Sequence, residues 1–417
     1  MTQAELAAGR FTKQYVSQIE RGEVVPSSEL LDWLADRLGV ERLYLETGLD
    51  TTDLARIEER LSEGQALLDT RRDAEAVELF RELRQSLPAG APRSTRRRAT
   101  RGEAWGLIRT GSITEAAELL GEARSAAASP TADEEAEIAY LVAVCCYSLS
   151  TMPAAHAEFA RALALLDETD EPNDRLRSDI HQWRSRCYRR QRDYEAARED
   201  IDRALELVDA LGDDRRRAEV NLQASLVADR QGRLVLARRY AETARDLYEA
   251  VGDDVTRGRA INNIAAFNHG LGNDEIAIAQ LREAFEIFVN AQLEVEAGYA
   301  LSSLAEIHRE RGDLAEAEVV ARRALALLEG RIDHVQEIGT AQLVLARAYL
   351  GQGELDEAED MLASVDETYG LTESVSHQAR SWMARGELEL VRRNEAEAAR
   401  LYREAATALQ PIDLETG

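Results

Sequence analysis

Nine times along its 417 residues the chain returns to one local pattern: a small or polar turn, a few residues, then an alanine. The turns are Arg72-Asp73, Gly111-Ser112, Ser150-Thr151, Arg192-Asp193, Gly232-Arg233, Gly272-Asn273, Gly312-Asp313, Gly353-Glu354 and Arg393-Asn394. The alanines that follow are Ala76, Ala116, Ala155, Ala197, Ala237, Ala277, Ala317, Ala358 and Ala398. From Arg192 onward the turns lie 40, 40, 40, 41 and 40 residues apart. A fixed period of this length marks a repeat architecture, in which each unit buries its apolar face only against its neighbours.

Each turn leads into a stretch with helical spacing. In Leu314–Leu328, the residues Leu314, Ala317, Val320, Ala321, Ala324, Leu327 and Leu328 share one stripe. A second turn closes each unit: Leu211-Gly212-Asp213-Asp214 and Val251-Gly252-Asp253-Asp254 are again 40 apart. Glycine there ends one helix in the left-handed conformation, and aspartate caps the next. Each unit is therefore expected to be two antiparallel helices of about 16–18 residues, about 25 Å long. Abundant Ala, Leu, Glu and Arg with only 7 prolines agree with an all-α fold.

These units resemble the tetratricopeptide repeat in a longer form of about 40 residues. Small residues stand in the first helix of the hairpins at Ala143, Ser225, Ala265, Ala305 and Ala346. Alanine pairs stand in the second at 197/204, 237/244, 277/284 and 317/324, and Phe80 followed by Pro88 matches the family's end signal. The resemblance runs from about Thr51 to Leu409 and implies a right-handed superhelix of nine hairpins over residues 51–417.

The first fifty residues read differently. A helix begins at Thr2-Gln3-Ala4-Glu5-Leu6-Ala7 and is expected to break at Gly9-Arg10-Phe11. Thr12 is placed to cap Lys13–Arg21, with Val16 and Ile19 inward and Gly22 as its end. Pro26-Ser27 opens a third helix, Glu29–Leu38, whose apolar side is Leu30, Leu31, Leu34 and Leu38, and Gly39 closes it. Two short helices across a tight turn, then a packing helix, is helix-turn-helix syntax.

The run Thr2-Gln3-x-Glu5-Leu6-Ala7, Tyr15 to Gly22, Pro26-Ser27 and Leu34-Ala35-x-x-Leu38-Gly39-Val40 resembles the Xre family of phage-repressor-type DNA-binding domains. The resemblance implies that Lys13–Arg21 is the recognition helix. Thr12, Lys13, Gln14, Ser17 and Gln18 would then face the major groove, with Gln3 near phosphate. Members of that family carry a further helix before Thr-Gln, whose basic residues can pair with the glutamate equivalent to Glu20. Here Met1 directly precedes Thr2, so either the start lies upstream or a trimmed domain rests on the first repeat for stability. Glu20 is expected to lack its partner.

A formal net charge of −27 discourages non-specific DNA binding, and the first fifty residues carry five Lys/Arg against nine Asp/Glu. DNA contact must therefore be local. Arg93, Arg96, Arg97, Arg98 and Arg101 follow a Pro/Gly/Ser-rich lead and read as a solvated loop and helix start, with a phosphate-contacting patch as the sharper reading. Nine residues before successive turns stand Gln223, Asn263 and Ser303, with Gln182, Asn262 and Ser302 one residue earlier in their units. By the tetratricopeptide resemblance these look into a concave groove that grips a peptide or protein segment, with Arg186, Arg190, Arg230 and His269 nearby.

Cys145, Cys146 and Cys187 show no metal spacing and suit a reducing cytoplasm, with Cys145-Cys146 in a buried helix face. The six histidines show no metal spacing either, and no signal segment, membrane span, phosphate loop, nucleophile elbow or catalytic carboxylate pair stands out. The expectation is a cytoplasmic, homodimeric transcription regulator without cofactor or enzymatic activity, its layout similar to that of peptide-responsive quorum-sensing regulators. The rival reading is a protein-interaction scaffold with a vestigial DNA-binding head.

Overall fold

The computed structural model describes residues 2–7, 10–70, 72–126, 131–169, 172–330, 334–371 and 375–409. Every regular element among them is an α-helix. Gly9, expected to break the first helix, and residues 410–417, assigned to the end of the array, lie outside the described residues.

Four short helices come first: α1 (Gln3–Ala7), α2 (Lys13–Glu20), α3 (Ser28–Leu38) and α4 (Arg42–Thr47). Thr12 caps α2, its hydroxyl accepting from the Tyr15 amide at 3.2 Å, and Ser27 caps α3 by accepting from Leu30. Leu6, Ala7, Val16, Leu30 and Leu34 form the small core, with Phe11, Tyr15, Ile19 and Trp33 packed against it. Leu38 departs from the expected apolar side: it is 38% exposed, at the last turn of α3. Helix α4 was not legible in the sequence, and it forms the joint to the array. The Glu41 carboxylate before it accepts from both the amide and the hydroxyl of Thr51, at 3.0 and 2.9 Å.

Eighteen longer helices follow among the described residues, as nine hairpins. They are α5 (Thr51–Asp69) with α6 (Asp73–Ser86), α7 (Arg93–Arg109) with α8 (Ile113–Ala126), and α9 (Ala132–Ser148) with α10 (Met152–Asp167). Next come α11 (Asp174–Arg190) with α12 (Tyr194–Leu211), α13 (Asp214–Arg230) with α14 (Leu234–Ala250), and α15 (Asp254–Gly270) with α16 (Asp274–Asn290). The last are α17 (Glu294–Glu310) with α18 (Leu314–Leu328), α19 (Val335–Gln352) with α20 (Leu355–Gly370), and α21 (Val375–Val391) with α22 (Glu395–Ala408).

The nine repeat alanines, from Ala76 to Ala398, are all 0% exposed. Each sits where a second helix meets its neighbours too closely for a larger side chain. In the first hairpin Phe80 uses the same device. A Cβ at Gly64 or Gly102 would come within 2.5 or 2.4 Å of its ring, so two glycines make room for it. The aspartates expected as caps do cap: Asp213 and Asp253 accept from the amides three residues on, at 3.1 Å each.

The chain forms two compact units, Met1–Cys187 and Tyr188–Gly417. The head belongs to the first of them, and the boundary between the two units falls inside α11. Within the second unit, first helices of successive hairpins pack on each other, α15 on α17, α17 on α19 and α19 on α21. Second helices make no comparable contact among the described residues, so the first helices line the inside of the stack. Arg192, in the first turn of this unit, donates to the carbonyl of Leu409 at the end of α22, at 2.9 Å.

Candidate functional site

The inner side of the second unit carries a stripe with helical spacing. Glu219, Gln223 and Leu226 on α13 are followed 40 residues on by Arg259, Asn263 and Ala266 on α15, and then by Tyr299, Ser303 and Glu306 on α17. All nine are half-buried or exposed, and Tyr299 is 47% exposed. The charged members are engaged: Arg259 donates to Glu296 at 2.6 Å, and Arg309 to Glu306 at 2.7 and 3.0 Å. Among the described residues the side-chain amides of Gln223 and Asn263 have no hydrogen-bond partner, which leaves two donors and an acceptor on each open to a ligand. Arg230 ends α13, exposed, on the same line.

Other expected groove residues lie elsewhere. Asn262 and Ser302 point between helices, 6% and 2% exposed; the Ser302 hydroxyl donates to the Gly298 carbonyl, and the Asn262 Oδ1 has no partner. His269 is held between two carboxylates, Nδ1 at 2.8 Å from Asp274 and Nε2 at 3.0 Å from Glu310, so it ties α15 to α16 and α17 and is not an open groove contact. Burial opposes its charge, but those two hydrogen bonds outweigh it and raise its pKa above the usual histidine value. Arg190 is exposed near the start of the unit.

Gln182 and Arg186 belong to the first unit. Gln182 is 4% exposed, and its Nε2 is buried without a partner. Arg186 stacks over Trp183 at 4.2 Å, and Trp183 meets Trp105 and Tyr147 edge-on, at 6.0 and 5.6 Å. Sequence reasoning passed over this aromatic group, and also Arg259 and Tyr299. The last two were findable, because they precede Asn263 and Ser303 by one helical turn with the same 40-residue period.

On the head, Thr12, Lys13 and Gln14 are exposed at the N-terminal end of α2, while Ser17 and Gln18 are half-buried behind them. Thr12 is committed to its cap. Gln3 does not stand free beside α2: its Nε2 donates to the Glu20 carboxylate at 2.5 Å. That contact corrects the expectation for Glu20, since a neutral donor from α1 supplies the partner. Arg37 donates to the Glu5 carbonyl at 2.8 Å and lies over Trp33. The arginine run at 93–101 is helix from its first residue, and three of its charges are paired with acids. Arg97 meets Asp133, Glu134 and Glu137, Arg98 meets Glu58, Arg101 meets Glu137, and Arg96 donates to the Pro88 carbonyl. A phosphate patch there would have to break these pairs.

Cys145 is buried, and burial pushes its thiol up to about 12, which keeps it in the unreactive protonated form. Cys146 is half-buried and Cys187 buried. Among the described residues no group of three or more His, Cys, Asp or Glu side chains could hold a metal, and no helix is long and apolar enough to cross a membrane.

The tetratricopeptide repeat family model matches residues 178–207, 298–323 and 339–364, which fall on the fourth, seventh and eighth hairpins. No curated protein sequence matches the chain. Among solved structures it is similar to a Rap protein complexed with competence and sporulation factor, with 15% identity and a TM-score of 0.61 over 85% of this chain and 97% of that one. It is similar to the apo form of the quorum sensor NprR from B. thuringiensis, with 14% identity and a TM-score of 0.60 over 85% and 99%. It is also similar to the Rap conjugation gene regulator of plasmid pLS20 in complex with the Phr* peptide, with 13% identity and a TM-score of 0.53 over 87% and 99%. At such identities the likeness is one of fold: the chain carries tetratricopeptide repeats and shares its fold with these proteins.

Proposed function

We propose that this chain is a peptide-sensing transcription regulator, reading DNA through α2 and a peptide through the inner stripe of its second unit. The observation that carries the reading is the pair of open amides, Gln223 and Asn263, in register on successive first helices. An extended peptide offers a donor and an acceptor at each residue, and side-chain amides satisfy both. Two of the similar folds, the Rap protein with competence and sporulation factor and the pLS20 regulator with the Phr* peptide, are complexes with a bound partner and support the reading. Arg190 and Arg230 would favour an acidic residue or a terminal carboxylate.

DNA reading is supported by Lys13 and Gln14, exposed on the head, with Ser17 and Gln18 one turn behind. A homodimer would set two heads on half-sites about 34 Å apart, or a multiple of that, and a small change in stacking within the array would alter their spacing. The scaffold reading is favoured by the acidic balance of the head. One experiment separates them. The full chain is put through selection on a random duplex library, and its binding to the selected duplex is measured with Lys13→Ala and with Gln14→Ala/Gln18→Ala. A shared sequence is expected, each lost base contact costing about 1–3 kcal/mol, and Lys13→Ala lowering the salt slope by about 1. Selection that returns no shared sequence leaves the scaffold.

A further inference from the structure

One face of the second unit breaks a rule that its other hairpins keep. A helix N-terminus favours acids, because its free amides and dipole are positive. The other second helices here place acids in their first turn, among them Glu195 in α12, Asp274 in α16 and Glu316 in α18. Helix α14 has none; its N-cap is Arg233, which makes no capping hydrogen bond, and Arg238 and Arg239 follow within its first two turns. Between residues 214 and 250 the chain carries eight arginines against six acids, in a protein of net charge −27. Three of these arginines, Arg233, Arg238 and Arg239, lie at the N-terminal end of α14, where the helix itself makes positive charge unfavourable.

The same residues line an open cleft of about 700 Å³ between the turn of the fifth hairpin and that of the sixth. Its walls are mixed. Val235, 63% exposed, lies with Leu236 and Leu271 beside Arg233, Arg238 and Arg239, and one acid, Glu242, also lines it. Arg238 is engaged, donating to Asn268 at 3.1 Å and lying 3.6 Å from Glu242. Arg233 and Arg239 are exposed and make no ion pair among the described residues. Two unmatched guanidinium groups beside an exposed aliphatic surface complement carboxylates that flank an aliphatic side chain.

We propose that this cleft docks an acidic segment of a partner protein, with aliphatic side chains on Val235, Leu236 and Leu271 and carboxylates on Arg233 and Arg239. The cleft lies on a second helix, whereas the peptide stripe lies on first helices, so the two sites are separate. The net charge of −27 disfavours non-specific binding of such a segment, and the arginines of the peptide stripe, Arg190 and Arg230, are the competing place for it, which the Gln223/Asn263 variant tests.

The test uses the full chain and a fluorescein-labelled peptide, Glu-Leu-Asp-Leu-Glu-Leu-Asp, with its uncharged counterpart Gln-Leu-Asn-Leu-Gln-Leu-Asn. Binding is followed by anisotropy at about 50 and about 300 mM salt. The acidic peptide should bind saturably and weaken with salt, and the uncharged one should bind at least about tenfold more weakly. Arg233→Gln/Arg239→Gln should weaken the acidic peptide by about tenfold or more, and Val235→Asp should do the same, both variants keeping wild-type helix content by circular dichroism. Gln223→Ala/Asn263→Ala should leave it unchanged. Failure of the acidic peptide to saturate, equal binding by the arginine variant, or loss of binding through the Gln223/Asn263 variant each overturns the proposal. The last two results leave the peptide-sensing reading standing.

Discussion

At the scale of single residues, Arg233 and His269 make opposite predictions about stability. Asp193, Asp213 and Asp253 cap their helices by accepting from an amide three residues on, whereas Arg233 stands at a cap position and makes no such bond. Arg233→Asp should therefore stabilise the fold by about 0.5–2 kcal/mol, seen as a higher urea midpoint, while losing the acidic peptide. An unchanged or lower midpoint would show that Arg233 already serves the fold. His269 works through pH. Burial resists its charge, yet the bonds to Asp274 and Glu310 raise its folded pKa above the unfolded value of about 6.5. A raised pKa means that its contribution is complete below that unfolded value and is lost as pH rises through the folded one. His377 has the opposite sign, since burial and then Arg380 lower its pKa. The readout is therefore a difference: wild type minus His269→Gln in thermal midpoint should be larger at about pH 5.5 than at about pH 8.5. A difference that does not vary with pH would show that the histidine is held as a neutral donor.

At the scale of the helix, two glycines separate packing from propensity. A Cβ on Gly339 of α19 would fall 2.2 Å from the Tyr369 ring of α20, and that ring is only 1% exposed. The ring has no free space to enter, so Gly339→Ala should destabilise by about 1–3 kcal/mol. At Gly121 in α8 a Cβ would meet nothing within 4 Å, so Gly121→Ala should stabilise by up to about 1 kcal/mol through helix propensity alone. Chemical denaturation of the two variants should give opposite signs; a shared sign would mean that backbone entropy, not the Tyr369 contact, governs both. The turns were readable for a related reason. Gly111, Gly232, Gly272, Gly312 and Gly353 all take positive φ, and Ser150, Arg192 and Arg393 take the same conformation at the same place in the period. The backbone geometry repeats where the glycine does not, so spacing was a safer guide than residue type.

At the scale of the whole chain, each hairpin is stabilised by its neighbours, and its ends are where stability should be lowest. The second unit holds its last helix partly by a contact from its first turn, Arg192 to the Leu409 carbonyl. Arg192→Ala should therefore speed hydrogen exchange in the last turn of α22 by up to about tenfold, with α20 unaffected. Equal rates would show that the contact holds nothing. The head has a different dependence. Leu6, Val16 and Leu34 lie in its small core, and Glu41 binds the start of α5 at Thr51. It belongs with the first hairpins in one compact unit, although its sequence reads as a separate motif.

Periodicity by itself determined the helices, the nine hairpins and the buried alanines, because a 40-residue repeat of turns and small residues leaves few other ways to bury an apolar stripe. It also set Gln223, Asn263 and Ser303 in register, since equal spacing on equivalent helices gives equal facing. What sequence could not decide was the state of each polar group. Asn262 and Asn263 are neighbours in the chain, yet one is buried and the other lies in the stripe, because a helix turns by 100° between them. Likewise, the arginines at 93–101 and those around α14 look alike in one dimension. Only tertiary packing brings acids from neighbouring helices against the first group and leaves Arg233 and Arg239 unmatched, because whether a charge is available depends on which helices lie beside it.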